Sequence, residues 1–265
     1  MLIDTHCHLD AAEFDSDRAQ VAQSAITHQV EMVVVPAVHR DNFQTVIALS
    51  KQFPHCAHAL GIHPLYVERS QPEDLDLLRQ ALETSQAVAV GEIGLDFYVE
   101  AYDRERQEYF FIEQLKLAKA FNLPVILHVR GAIDTILKHL RTYKLIGGIA
   151  HAFNGSEQQA QEFIKLGFKL GFGGAMTYPR ALKLRHLATQ LPLEAIVLET
   201  DAPDIPPEWV GHSGRNSPDQ LYRIAQVLAE LRQLDLAKIV EFTGKNALEA
   251  LPKLVYLYTS PQVSH

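Results

Sequence analysis

The chain has 265 residues, 47% hydrophobic and 21% charged, with 14 Gly and 13 Pro. That balance excludes a disordered chain and a low-complexity polymer, and the length suffices for a full core. Lys and Arg total 24 against 32 Asp and Glu, a formal charge of −8, which excludes a general polyanion binder and confines any nucleic-acid contact to a local pocket.

In chain order, short apolar runs alternate with longer amphipathic segments. The runs are residues 2–5, 32–38, 57–62, 87–93, 125–128, 146–151, 170–172 and 195–198. Each is continuous rather than strictly alternating, the pattern of a parallel strand covered on both faces. Their ends recur at intervals of roughly 28 residues, the size of one strand–helix unit. Between them the helical period takes over. Phe110, Leu117 and Phe121 share one stripe, with Phe111, Leu115 and Ala118 beside it.

Ser217-Pro218-Asp219-Gln220 predicts a helix start, with serine as cap, proline in the first turn and Gln220 completing a capping box. Leu221, Ile224, Ala225, Leu228 and Leu231 follow at helical spacing. Asp235 predicts another helix start and Gly244 its end; residues after 252 carry no signal. No linker rich in Gly, Ser or Pro divides the chain, so residues 1–265 are expected to form one domain.

This alternation admits a closed (β/α)8 TIM-type barrel or an open doubly wound sheet. The open sheet usually advertises a glycine-rich first turn. Here the first run ends in His6-Cys7-His8, and Gly171-Phe172-Gly173-Gly174 is only a weak glycine cluster. The fold expected is the α/β barrel.

His6 and His8 stand two apart on a strand and so face the same side. Later runs end in Glu92, His128, His151 and Asp201, each just after apolar residues. A barrel brings all strand ends to one rim, where active sites form. Six such ligands exceed the needs of one catalytic zinc. They suit two divalent cations bridged by Glu92, whose two oxygens can each bind one ion. The expected chemistry is hydrolysis by activated water, with Asp201 both ligand and proton acceptor. Ligand softness favours Zn, Mn, Ni or Co over Mg.

The ordered motifs His6-x-His8, GEIGLD ending at Asp96, HVRGA from His128, HAFNG from His151 and ETDAP from Glu199 resemble the TatD family of metal-dependent hydrolases, in the amidohydrolase superfamily. The resemblance runs from His6 to about Ala250. It implies a barrel with His6, His8, Glu92 and Asp201 around one metal and Glu92, His128 and His151 around the other. Family usage also keeps Mg among the candidate metals. It further implies deoxyribonuclease activity, with single-stranded DNA as substrate. Gly131 and Asn154 depart from the better-known nucleases, which carry an acidic residue and Ser or Thr there. Those departures leave two alternatives open: hydrolysis of a small-molecule amide, ester or lactone, and a barrel that binds metal or a partner without turnover.

Other rim residues are substrate candidates. Arg130, two residues past His128, suits a bidentate grip on phosphate, or else pairs with Asp96 or Asp134. Arg215, in the long loop after the last strand, is a second phosphate contact or a solvated arginine. His63 contacts substrate or orients a ligand. Asp96 is expected to accept a ligand imidazole's second N–H. Cys7 is read as core filler, Trp209 and Tyr178 as loop cover or base-stacking rings, and Phe97 and Tyr98 as packed beneath their loop.

The two cysteines do not make a disulfide framework. The first residues lack a basic or long apolar segment, and no run is long enough to span a membrane. A cytoplasmic monomer is expected.

Overall fold

The computed structural model describes residues 1–99 and 101–259; the six residues from 260 to 265 of the expected domain lie outside the described residues. Eight parallel strands occur among the described residues. They are β1 (Leu2–Asp4), β2 (Val30–Pro36), β3 (Cys56–Ala59), β4 (Val90–Asp96), β5 (Val125–Arg130), β6 (Gly148–Ala150), β7 (Phe168–Phe172) and β8 (Ile196–Leu198). Helices α1 (Arg18–Thr27), α2 (Phe43–Gln52), α3 (Asp74–Thr84) and α4 (Arg104–Ala120) join the first five strands. Helices α5 (Ile133–Tyr143), α6 (Glu157–Lys165) and α7 (Leu182–Gln190) join the rest. After β8 come α8 (Leu221–Arg232), α9 (Leu236–Ala250) and α10 (Leu254–Thr259).

The strands form ladders of three and five in sequence order. Backbone hydrogen bonds join the ladders at both seams. The Leu60 N–H donates to Ala89 O (3.3 Å) and the Gly91 N–H to Leu60 O (2.9 Å), linking β3 to β4. The Thr5 N–H donates to Leu198 O (3.1 Å) and the Asp201 N–H to His6 O (2.8 Å), linking β8 to β1. The (β/α)8 TIM-type barrel is therefore closed, although its strands are short.

The interior holds Ile3, Met32, Val34, Ala57, Ala59, Ile126, Ile149 and Val197, contributed by six of the strands. Ala247, Leu251 and Leu254 from the chain's last helices pack on this cluster. The uninformative stretch after residue 252 thus includes a helix. Strand alternation carries His128 and His151, two residues beyond Ile126 and Ile149, to the same interior face. A larger cluster, with Phe110, Phe111, Leu115, Leu117 and Ala118 of α4, fills the space between strands and helices.

Three local expectations are corrected. Gly244 does not end its helix. It lies inside α9, where an added Cβ would come within 2.1 Å of the Met1 carbonyl oxygen, so close packing requires glycine there. The turn after Ser217 is a 3₁₀ turn, Pro218–Gln220, with no side-chain cap; the α-helix starts at Leu221. Gln220 instead accepts from the Trp209 indole N–H and donates to Asp219. Finally, Tyr98 is not packed beneath its loop but is 69% exposed. Among the described residues no helix is long and apolar enough to cross a membrane.

Candidate metal centre

The C-terminal strand ends deliver the six candidate ligands to one place. His6 Nε2 and His8 Nε2 lie 3.2 Å apart, two and four residues beyond the end of β1. They face Glu92 Oε2 at 3.2 and 3.4 Å and Asp201 Oδ1 at 3.5 and 3.8 Å. The other Glu92 oxygen, Oε1, faces His128 Nδ1 and His151 Nε2, each at 3.1 Å. Each oxygen of Glu92 thus has its own set of imidazoles.

Local backbone geometry makes this convergence possible. Gly94 pairs with His128 across β4 and β5, and a Cβ on it would lie 2.0 Å from His128 O. Only glycine lets the two strands approach there. Asp201 sits past β8 with φ of 57°, in the left-handed region that Asp tolerates better than most residues. Its segment is pinned from both sides. Asp4 accepts from the Thr200 N–H (2.9 Å) and hydroxyl (2.6 Å), and Asn216 Nδ2 donates to Thr200 O (2.8 Å).

The expected outer support is present around His128. Its Nε2 lies 3.1 Å from Asp96 Oδ2, which leaves Nδ1 directed at Glu92. Near His151 stands Glu199, to which the sequence alone assigns no role. Glu199 Oε1 lies 3.6 Å from His151 Nδ1 and accepts the Ala152 N–H at 2.5 Å. The available signal was its place two residues before Asp201, on the face of inward Val197. His63 is nearer the centre than a rim contact: its Nε2 stands 3.4 Å from Glu92 Oε1.

The electrostatics favour bound positive charge. Burial pulls the Glu92 carboxyl upward, but His63, His6, His151 and His128 outweigh it and hold the group ionised well below the usual carboxylate range. Burial likewise opposes charge on His8, yet Glu92 and Asp201 lift it to about 9. Burial and the neighbouring His151 keep the His6 imidazole neutral, and burial takes His63 down to about 4. Burial raises Asp201 to about 6, against the pull of His151 and His8. Burial also opposes charge on His128 and His151, yet the carboxylates around them raise both above the ordinary imidazole range, so positive charge gathers about buried Glu92 in the metal-free chain. Divalent cations meet the same demand for charge while using neutral imidazole and carboxylate donors. The donor set fits divalent metal.

A cavity of about 850 Å³ opens over these groups, lined also by Asp10, Glu13, Leu65, Tyr66, Arg130 and Asp204. Arg130 is 51% exposed, stands 3.9 Å from Asp96 and covers the Tyr98 ring at 4.2 Å. Asp134, its other expected partner, instead accepts from Gln159.

Arg215 is not among the lining residues. It binds Asp17 through both guanidinium nitrogens (2.9 and 2.6 Å) and donates to Glu13 O (2.7 Å). Its donors clamp the loop after β1 to the loop after β8, and the contact with substrate phosphate expected of it would compete with that clamp. Trp209 and Tyr178 also stay outside the cavity. Arg223 covers the first, and the second stacks on His212 at 4.6 Å. Cys7 is fully buried, as core filler should be.

A family model described as TatD related DNase matches residues 3–252. The chain is 46% identical over 235 residues to the Escherichia coli K12 protein named uncharacterized metal-dependent hydrolase YjjV, covering 87% of this chain and 90% of that one. The crystal structure of YjjV, described as a TatD homolog, superposes with a TM-score of 0.91 over 95% of this chain and 98% of its own, at 42% identity. Human deoxyribonuclease TATDN3 is 32% identical over 271 residues, covering 97% of this chain and 96% of that protein.

Proposed function

The chain belongs to the TatD-related family of metal-dependent hydrolases, and on that premise we propose that it cleaves phosphodiester bonds with two divalent cations, DNA being the substrate class. As an enzyme it is a hydrolase acting on ester bonds. The observation that carries the two-cation reading is the division of Glu92, with Oε2 facing His6 and His8 and Oε1 facing His128 and His151. The first group, with Asp201, would hold one cation, and the second group the other. Zn, Mn, Ni or Co suits the imidazole-rich set, and Mg remains among the metals to be tested.

Bound there, a cation pair would lower the pKa of water and polarise the scissile ester. The chain's own residues do the rest. Glu92 fixes the spacing of the two donor groups. Asp96 orients His128, so that the nitrogen aimed at Glu92 carries a lone pair rather than a proton. Asp201, a carboxylate beside the attacking water, accepts the proton that the water loses. Arg130, at the cavity wall, steadies the anionic phosphate. The free thiols of Cys7 and Cys56 suit a reducing cytoplasm.

One observation favours a second reading, a small-molecule ester or lactone. Arg130 stands alone as a lining arginine, while Asp10, Glu13 and Asp204 line the same cavity. Carboxylates repel a long polyanion. Purified protein loaded separately with Zn, Mn, Mg, Ni and Co, assayed on single-stranded DNA, a generic phosphodiester, an aryl acetate and a lactone, decides between them. Phosphodiester cleavage that disappears on chelation supports the first reading. Turnover confined to the carboxylic ester or lactone overturns it.

A further inference from the structure

We propose that a second, smaller cavity beside the metal centre is a substrate subsite for a flat ring of benzene or pyrimidine size, attached close to the scissile ester bond. The inference rests on the hydrolase reading and adds the shape of the group that the enzyme selects. The cavity holds about 150 Å³, enough for one such ring. Its walls join apolar Phe153, Phe172, Met176 and Leu184 to polar Glu199 and Thr200. Ala152, Asn154, Asp201 and Ile205 border both this cavity and the large one above the ligands. A ring seated among the phenylalanines therefore presents its attachment point beside Asp201.

The pocket is built in rather than formed on binding. Phe153 and Phe172 are 1% and 2% exposed, and Phe153 packs edge-to-face on Phe163 at 5.8 Å. The 3₁₀ turn Gly174–Thr177, which carries Ala175 and Met176, is held by the Thr177 hydroxyl donating to Gly174 O (2.7 Å). The same hydroxyl oxygen accepts the Glu208 N–H at 2.8 Å. An apolar wall fixed this way gains from expelling water against a ring, and a small substituent such as methyl leaves most of the volume unfilled. The large cavity is too wide to discriminate on shape, so ring preference resides in the smaller one. Ala175 is its most easily altered wall residue, being small and partly exposed.

The test uses the zinc-loaded full chain and two diesters, methyl 4-fluorophenyl phosphate and dimethyl phosphate. Dissociation constants come from calorimetric titration, and released phenol or methanol is measured in parallel. The aryl diester is expected to bind at least about tenfold more tightly than dimethyl phosphate. That preference should vanish in Ala175→Leu and in Leu184→Phe, which narrow the pocket from two sides, with zinc content unchanged. Equal affinity for the two esters in the parent protein, or a preference retained in both variants, overturns the subsite. Ring preference without ester cleavage, at full zinc content, would instead count against the hydrolase reading alone.

Discussion

Replacing Asp96 with Asn should weaken one cation site and leave the other untouched. Asp96 Oδ2 lies 3.1 Å from His128 Nε2, and His128 Nδ1 lies 3.1 Å from Glu92 Oε1. The carboxylate draws the imidazole proton to Nε2 and so frees Nδ1 as a donor. Asn keeps the size and one acceptor but loses the charge that makes the ring more basic. The backbone should hold, because Gln107 clasps Asp96 by both its N–H (2.8 Å) and its carbonyl (3.0 Å). Losing an outer partner of this kind costs roughly 10–100-fold in metal affinity, or about 1.4–2.7 kcal/mol. Competition titration against a zinc chromophore resolves the two affinities. The expected record shows one affinity reduced by that factor and the other, set by His6, His8 and Asp201, unchanged. Equal weakening of both, or no change in either, would refute the division of ligands.

Other variants separate chemistry from architecture. Asp201→Asn should keep partial metal content yet lower kcat by about 100-fold or more, as loss of a proton acceptor does; near-normal turnover removes that role. Arg130→Ala should raise KM for a phosphodiester about tenfold with metal content intact, and Lys at that position should restore only part of the loss. Arg215→Ala should lower Tm without changing KM, since its guanidinium is engaged by Asp17 and Glu13; a KM rise with unchanged Tm would return it to the substrate. Gly94→Ala should destabilise the fold by more than about 2 kcal/mol in a chemical-denaturation experiment, because its Cβ meets His128 O at 2.0 Å.

Much of the barrel was legible because its determinants are local. Eight buried apolar runs mark eight strands, and a His, Glu or Asp after such a run cannot be idle core. Thus His6, His8, Glu92, His128, His151 and Asp201 came from sequence and meet within one site. What sequence missed depends on distant partners. Gly244 reads as a helix stop until the Met1 carbonyl is found against it. Arg215 reads as a free cation until Asp17, 198 positions away, takes its charge. Glu199 comes to stand beside His151 only once the strand ends meet. Boundaries slipped for a related reason. The fourth strand was expected over residues 87–93 but runs Val90–Asp96. Its register is set by pairing with β5, which continues to Arg130 opposite Asp96.

Counting metal in parent protein and in Glu92→Gln reaches the central claim most directly. An amide offers one oxygen acceptor where the carboxylate offers two. After saturation with zinc and removal of excess, elemental analysis should find two equivalents per parent chain and no more than one in the variant. A single equivalent in the parent, or two retained in Glu92→Gln, would contradict the bridge.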